Sequence, residues 1–351
     1  MQPFVYETAP ARVVFGRGTS QNLRRELEAL NFGRALVLST PDQKEQSLRI
    51  AQGLGSQLAG SFHAAAMHTP VEVTLQALEV LKDVQADCIV AIGGGSTIGL
   101  GKALALRTDL PQIVVPTTYA GSEMTPILGE TENGLKTTQR NPKVQPRVVL
   151  YDVDLTVTLP VQASVTSGMN AIAHAAEALY ARDGNPVISL MAEEAIRALA
   201  HALPRIVATP DDIEARSDAL YGAWLCGTCL GSAGMALHHK LCHTLGGSFD
   251  LPHAPTHTVI LPYALAYNSD AARPAMAAIA RALGMADAAM GMRALSMRLG
   301  APTSLRELGM AEADLDRAAD LATQNAYWNP RPIEHGPIRN LLGRAWAGTP
   351  V

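Results

Sequence analysis

Over the first 155 or so positions, short runs of consecutive apolar residues alternate with segments whose apolar residues recur every three to four. Ala35–Ser39 (ALVLS), Cys88–Ile92 (CIVAI) and Ile113–Val115 (IVV) are of the first kind; Ser20–Leu30 and Val71–Val84 are of the second. Unbroken apolar runs alternating with helical patterns predict βαβ units, hence a parallel sheet with helices on both faces. Arg147–Asp152 (RVVLYD) predicts a further strand, and Thr131–Arg140 (TENGLKTTQR) a hairpin with Asn133-Gly134 at the turn. After Leu159-Pro160 the texture changes. Ile188–Ala202, Ile213–Ala236, Ala275–Leu283 and Leu315–Gln324 are Ala-rich with a 3.6-residue period, and strand-like runs all but vanish. The expected architecture is an α/β Rossmann-like N-terminal domain over residues 1–157 and an all-helical C-terminal domain over 158–351.

Composition narrows the class of partner. The chain has 351 residues, 48% hydrophobic and 17% charged, which excludes disorder and low complexity. Its net charge of −4 supplies no field for a phosphate backbone, so nucleic acid is not expected and the ligand should be small. The opening MQPFVYETAPARVV has neither the basic nor the apolar region of a secretory leader, and four cysteines are too few for a disulfide framework; both point to a reducing cytoplasm. The charge-free stretch Ala219–His239 is interrupted by Gly222, Gly227, Gly231 and Gly234, which suits a buried, closely packed helix better than a membrane span. Cys226-Gly-Thr-Cys229 has redox or zinc spacing but no second pair, and within that apolar run its thiols read as small core groups.

Two constellations carry chemistry. The strand ending at Ile92 runs into Gly93-Gly94-Gly95-Ser96 and then a helix, Thr97–Arg107. Residues without side chains let a pyrophosphate approach the backbone, and the helix N-terminus offers free N–H groups and a positive dipole. The loop is neither G-x-G-x-x-G nor a P-loop. The next strand ends in Pro116-Thr117-Thr118-Tyr119-Ala120-Gly121-Ser122-Glu123, placing hydroxyls at the carboxyl edge of the sheet, where ligands of open α/β sheets bind. The second constellation is histidine. Five of ten (His238, His239, His243, His253 and His257) lie within twenty positions. His239 and His243 share a helix face, as do Asn170 and His174 upstream. Asn170, His174, His239 and His253 could gather around a divalent metal, imidazole suiting zinc or iron; alternatively these imidazoles, His238 and His257 above all, are satisfied core groups.

Taken together, Gly93–Ser96, Pro116-Thr117-Thr118, the Gly168-Met-x-Ala-x-x-His174 helix and His239-x3-His243-x9-His253 resemble the iron-dependent alcohol dehydrogenase superfamily over nearly the whole chain. PTTYAGSEMTPILGET, KTTQRNPKV, HHKLCHTLGG and LPHAPTHTVILP resemble its maleylacetate reductases. The resemblance implies a dehydroquinate synthase-like architecture, a homodimer with an edge strand near the N-terminus as a candidate interface, and an active site between the domains. It also implies NADH- or NADPH-dependent reduction of the conjugated C=C of maleylacetate, a small dicarboxylate, to 3-oxoadipate in the breakdown of aromatic compounds.

The residues carried over by that resemblance follow. Metal-binding members have Asp at the position of Asn170, with the other ligands at His174, His239 and His253. Loss of that anionic oxygen removes a unit charge from the shell of a dication, worth several kcal/mol by Coulomb reasoning, so no metal is expected to be required. Those three imidazoles remain candidates for incidental zinc binding. One or two of them would hold the developing enolate oxygen, and His243 would be the general acid. Lys240, Arg140 and Arg331 are candidate partners of the substrate carboxylates. Lys136 matches a lysine that touches the cofactor. Ser39-Thr40 replaces an Asp that repels the 2′-phosphate, so both cofactors are expected, and Gly99 replaces a common Asp. The competing readings are a metal-dependent alcohol or polyol dehydrogenase and a non-enzymatic nucleotide or metal sensor.

Overall fold

The computed structural model describes Phe4, Tyr6, residues 11–132 and residues 135–351; Asn133-Gly134 and the side chains of Leu135 and Lys136 lie outside the described residues. From Ala11 to Leu159 the chain forms one compact unit, and Pro160–Val351 forms a second.

In the first unit the strands are β1 (Arg12–Gly16), β2 (Ala35–Leu38), β3 (Leu58–Phe62), β4 (Cys88–Gly93), β5 (Gln112–Pro116), β6 (Ile127–Glu132), β7 (Leu135–Arg140) and β8 (Val148–Asp152), and the helices are α1 (Leu23–Ala29), α2 (Lys44–Ala51), α3 (Val71–Asp83) and α4 (Gly95–Thr108). Six strands form one sheet in the order β1-β8-β5-β4-β2-β3, every neighbouring pair parallel. β6 and β7 pair antiparallel as a separate ribbon, Glu132 opposite Leu135.

Burial explains the apolar runs. Every residue of β2, β4, β5 and β8 is buried. Along β2 and β4 alternate residues face opposite layers: Val37, Val90 and Ile92 pack with Leu23 and Leu27 of α1, while Leu36, Leu38 and Ile89 pack with Leu78, Leu100 and Leu104 of α3 and α4. Each such side chain contributes about 1.5–3 kcal/mol of burial. The edge strands β1 (RVVFG) and β3 (LAGSF) are only partly buried and lack a continuous apolar run, so the pattern does not predict them.

The second unit is helical throughout its described elements: α5 (Val161–Ala178), α6 (Pro186–Ala208), α7 (Ile213–Ser232), α8 (Leu237–Phe249), α9 (His253–Asn268), α10 (Arg273–Leu283), α11 (Ala288–Arg298), α12 (Leu315–Thr323) and α13 (His335–Ala347). Local chemistry sets the starts. Asn185 Oδ1 accepts the N–H groups of Val187 and Ile188 ahead of Pro186 at the first turn of α6, and Asp212 Oδ1 accepts that of Ala215 in α7. Gly168 brings α5 against α6, since a Cβ there would lie 2.8 Å from Leu203 Cδ2.

The helix expected over Ile213–Ala236 stops at Ser232, and the axes of α7 and α8 differ by 95° across the break. The break has a cause: Gly234 N–H donates to Asp183 Oδ1 and Ala236 N–H to Glu177 Oε2, so side chains rather than the next helical turn take these amides. Among the described residues no single helix is long and apolar enough to cross a membrane. All four cysteines are buried and free. Burial pushes the Cys229 thiol up to about 12 and Cys226 well up, so the C-x-x-C pair is held as inert thiol.

Candidate active site

In the α/β unit the end of β4 turns directly into α4. Gly93 has φ +156°, and a Cβ at Gly94 would meet Thr118 Cγ2 at 2.8 Å, so the loop after β4 and the Pro116-Thr117-Thr118 segment after β5 touch only because these positions carry no side chain. Thr117 N–H donates to Gly93 O. The first turn of α4, Gly95-Ser96-Thr97, leaves N–H groups without intrahelical acceptors, and the buried hydroxyls of Thr97 and Thr118 have no protein partner. Free N–H groups, orphaned hydroxyls and a cradle that a Cβ would fill suit the pyrophosphate of a dinucleotide.

Gln43 was not singled out by the sequence. Its Nε2 donates to Thr117 Oγ1 at 2.6 Å and its Oε1 accepts from Thr40 Oγ1 at 3.4 Å, tying the ends of β2 and β5 across β4. Ser39 is turned inward, its hydroxyl donating to its neighbour's carbonyl and meeting His63 Nδ1 at 2.8 Å. Ser122 is held by the buried Lys102. Gly99 faces Thr69, whose Oγ1 would lie 2.3 Å from a Cβ at that position, so any side chain here would require Thr69 to move. Lys136, expected at the cofactor, has its side chain outside the described residues.

In the helical unit α5, α8 and α9 bring six imidazoles together. Ring centroids lie 5.1 Å apart for His174 and His239, 5.1 Å for His239 and His257, 4.3 Å for His253 and His257, and 6.0 Å for His239 and His243. Asn170, one turn before His174 on α5, is buried with its Oδ1 unpartnered, as are His174 Nδ1, His239 Nε2 and both ring nitrogens of His257. His238 is the exception, with Nε2 on the His257 carbonyl at 3.0 Å, a structural contact. His257, which resembled a core group in the sequence, is buried and yet leaves both nitrogens to the cluster.

Glu177, unremarked in the sequence, organises this group. One turn beyond His174 and fully buried, it accepts the N–H groups of Ala236 and His238 and His239 Nδ1, each at 2.7 Å. It thereby replaces the missing side-chain cap of α8 and places negative charge at that helix's N-terminus. Burial raises the carboxyl's pKa even against the field of His238 and these donors; it is because N–H groups occupy both oxygens that it acts as the acceptor-only carboxylate. His239 therefore keeps its proton on Nδ1 and presents the Nε2 lone pair. Burial, reinforced by mutual repulsion, drives the pKa values of His174, His239 and His257 well below that of free imidazole. They are neutral at pH 7.

The donor set tests for a metal. A carboxylate behind a histidine is the usual support of a metal ligand, and imidazole nitrogens of His238, His239 and His257 approach one another within 4.8 Å. Of that trio only His239 belongs to the set expected from the sequence. Yet a dication here would meet neutral imidazoles and the Asn170 amide, while the buried carboxylate is spent on three N–H donors and His238 on a carbonyl. With no anionic oxygen aimed at the cluster among the described residues, the set does not fit Fe²⁺ well.

Around the cluster, His243 Nδ1 lies 3.1 Å from the Tyr327 hydroxyl, a partner 84 residues away that no local motif announced. Lys240 Nζ sits over the same ring at 5.9 Å, and partial burial lowers its pKa. Arg331, expected as a carboxylate partner, stacks on Tyr267 at 4.1 Å and donates to its carbonyl. Arg140 belongs to β7 in the other unit and is exposed.

Comparison with known proteins gives a uniform result. Residues 10–153 match the model described as iron-containing alcohol dehydrogenase, and residues 164–346 that of the Fe-containing alcohol dehydrogenase family, C-terminal. A maleylacetate reductase of Rhizobium sp. (strain MTP-10005) is 60% identical over 348 residues, 99% of each chain. The crystal structure of maleylacetate reductase from Agrobacterium tumefaciens superposes with a TM-score of 0.97 at 59% identity, covering 100% of both chains. That of a 1,3-propanediol oxidoreductase superposes with 0.91 at 27% identity, covering 98% of this chain and 100% of its own.

Proposed function

We propose, from the premise that this chain belongs to the iron-containing alcohol dehydrogenase family, that it is a maleylacetate reductase acting without a required metal. The observation that carries the reading is the amide of Asn170 beside imidazoles whose buried carboxylate is already committed to N–H donors. The 60% identity to the Rhizobium enzyme supports the substrate.

The loop Gly93–Ser96 with Thr97, Thr117 and Thr118 binds the dinucleotide, and Ser39-Thr40 brings no carboxylate against a 2′-phosphate, so NADH and NADPH both serve. When bound there, NAD(P)H would supply a hydride equivalent for the alkene carbon β to the ketone, and the chain's own groups would then have to steady a delocalised enolate. Such an anion needs hydrogen-bond donors rather than a cation. His174, whose Nδ1 no protein group engages, donates to the enolate oxygen. His243, backed by the Tyr327 hydroxyl, protonates the α-carbon. His239 relays the replacement proton, the Glu177 carboxylate steadying the imidazolium that forms. Lys240 receives a substrate carboxylate. The sum is maleylacetate, NAD(P)H and a proton giving 3-oxoadipate and NAD(P)⁺. A homodimer across the open side of β1, whose Phe15 is 36% exposed, completes the reading.

The test is NADH oxidation with maleylacetate in strong chelator: undiminished turnover is expected. Activity lost in chelator and regained with iron or zinc overturns the metal-free reading. It favours instead a metal-dependent dehydrogenase, the reading to which the carboxylate-backed lone pair of His239 would then belong.

A further inference from the structure

Lys102 lies two turns into α4, the helix that begins at the Gly93–Gly95 loop, and its side chain is wholly buried. Its Nζ meets five oxygens: the carbonyls of Ser122 at 2.6 Å, Thr125 at 2.8 Å and Ile127 at 2.9 Å, and the hydroxyls of Thr125 at 2.9 Å and Ser122 at 3.4 Å. Among the described residues no carboxylate pairs with it: burial lowers its pKa to about 7 and the field of the buried Glu123 opposes that fall, while three carbonyls that can only accept take the three N–H bonds of the charged form. Burying an ammonium without a paired anion costs several kcal/mol, and an apolar side chain would fill the same space without that cost.

What the ammonium gains is its hold on one segment. All five oxygens belong to Ser122–Ile127, the stretch that follows Thr117 and Thr118. Carbonyls and hydroxyls converging on a single positive charge, with no anion among them, form the kind of shell that replaces the hydration of a monovalent cation.

We propose that Lys102 is a built-in monovalent cation: its ammonium is the positioning residue that folds Ser122–Ile127 into place beside the dinucleotide loop, and the oxygen cage accepts a small free cation when the side chain is cut back. α4 then serves both cofactor segments, the first through its N-terminus and the second through Lys102. The proposal rests on the dinucleotide reading above and is independent of the organic substrate.

The test is NADH binding to the full chain, followed by fluorescence without maleylacetate, in Lys102→Ala, Lys102→Met and Thr125→Val. Lys102→Ala should weaken NADH at least tenfold. Ammonium, methylammonium or potassium chloride should restore most of the loss, and tetramethylammonium chloride at equal ionic strength should not. Lys102→Met, whose side chain occupies the cage, should be weakened and stay so in every salt. Thr125→Val removes one cage oxygen and should weaken NADH about fivefold. In steady state the loss should fall on KM for NADH, with kcat nearly kept. If Lys102→Ala folds only when a small cation is present, the proposal is supported. If it stays unfolded in all salts, binds NADH like the wild type, or is weakened without rescue, the proposal is overturned. A wild-type chain that binds no NADH would instead remove the dinucleotide reading, and this proposal with it.

Discussion

The two units build their candidate sites from opposite materials. In the α/β unit the groups at the mouth of the sheet are glycine backbone, hydroxyls and the Gln43 amide, all neutral, and what matters is that Gly94 and Thr118 can touch. In the helical unit the groups are imidazoles clustered around the buried carboxylate Glu177. The first site should therefore fail when its shape changes, and the second when a charge or proton changes. The largest single perturbation of that contrast is Glu177→Gln. An amide cannot accept on both of its arms, so either the His238 N–H on Oε1 or both the Ala236 N–H and His239 Nδ1 on Oε2 lose their acceptor in the core. Breaking such a buried arrangement costs roughly 3–5 kcal/mol, which for a unit of this size lowers the melting temperature by roughly 10 °C. Calorimetry should record that drop together with loss of most turnover, while NADH titration stays near wild type. Equal loss of NADH affinity would break the contrast.

Acid should separate the units without any mutation. His174, His239 and His257 have pKa values well below the free value of 6.5 because burial disfavours their charged form. Below pH 6.5 the unfolded chain binds protons that the folded chain refuses, so stability falls as pH falls. Three such groups lose about 3 kcal/mol in all between pH 6.5 and 5.5. In the α/β unit the partly buried His63 is also lowered, by burial and by Lys44, but it stands alone rather than in a cluster of imidazoles. Hydrogen exchange at pH 5.5 should open peptides of α8 and α9 before those of β4 and β5. The reverse order would show that the imidazoles are not what acid attacks.

The same contrast explains what the sequence made legible. β2, β4, β5 and β8 stood out because a strand covered on both faces must be apolar throughout; β1 and β3 did not, because an edge strand needs no such run. The glycine loop was visible because the shape requirement is written in consecutive residues. The histidines were visible as an excess, but their roles were not. Whether His257 is packed or poised depends on both its nitrogens lacking partners, which no spacing encodes. Glu177 left one trace, its place three residues after His174 as the lone acid in an Ala-rich helix. Tyr327 and Gln43 left none, because each reaches its partner only through the fold. Arg331 was a reasonable carboxylate partner by charge, and the structure gives its guanidinium to Tyr267.

A smaller effect is expected from Gly94→Ala, which probes shape alone. The new methyl would lie 2.8 Å from Thr118 Cγ2, and relieving that overlap costs about 1–3 kcal/mol. Fluorescence titration should show NADH affinity falling by roughly tenfold to a hundredfold, with the acid sensitivity of α8 and α9 unchanged. A shifted pH profile would mean the steric site is not independent of the ionisable one.

The smallest change is Tyr327→Phe, which leaves packing nearly intact and removes only the hydroxyl 3.1 Å from His243 Nδ1. Burial raises the pKa of Tyr327, so the hydroxyl is neutral at working pH and acts through one hydrogen bond rather than as a charge. One such bond is worth about 1 kcal/mol, or about fivefold in kcat if His243 is the proton donor that it orients. The loss should appear in kcat with NADH affinity unchanged, because the hydroxyl orients an acid and holds no part of the dinucleotide. A solvent isotope effect on kcat that grows in the variant would mark proton delivery as the step slowed. A loss of several hundredfold would instead make Tyr327 itself the donor and His243 its support, while an unchanged kcat would move the proton source out of this pair altogether.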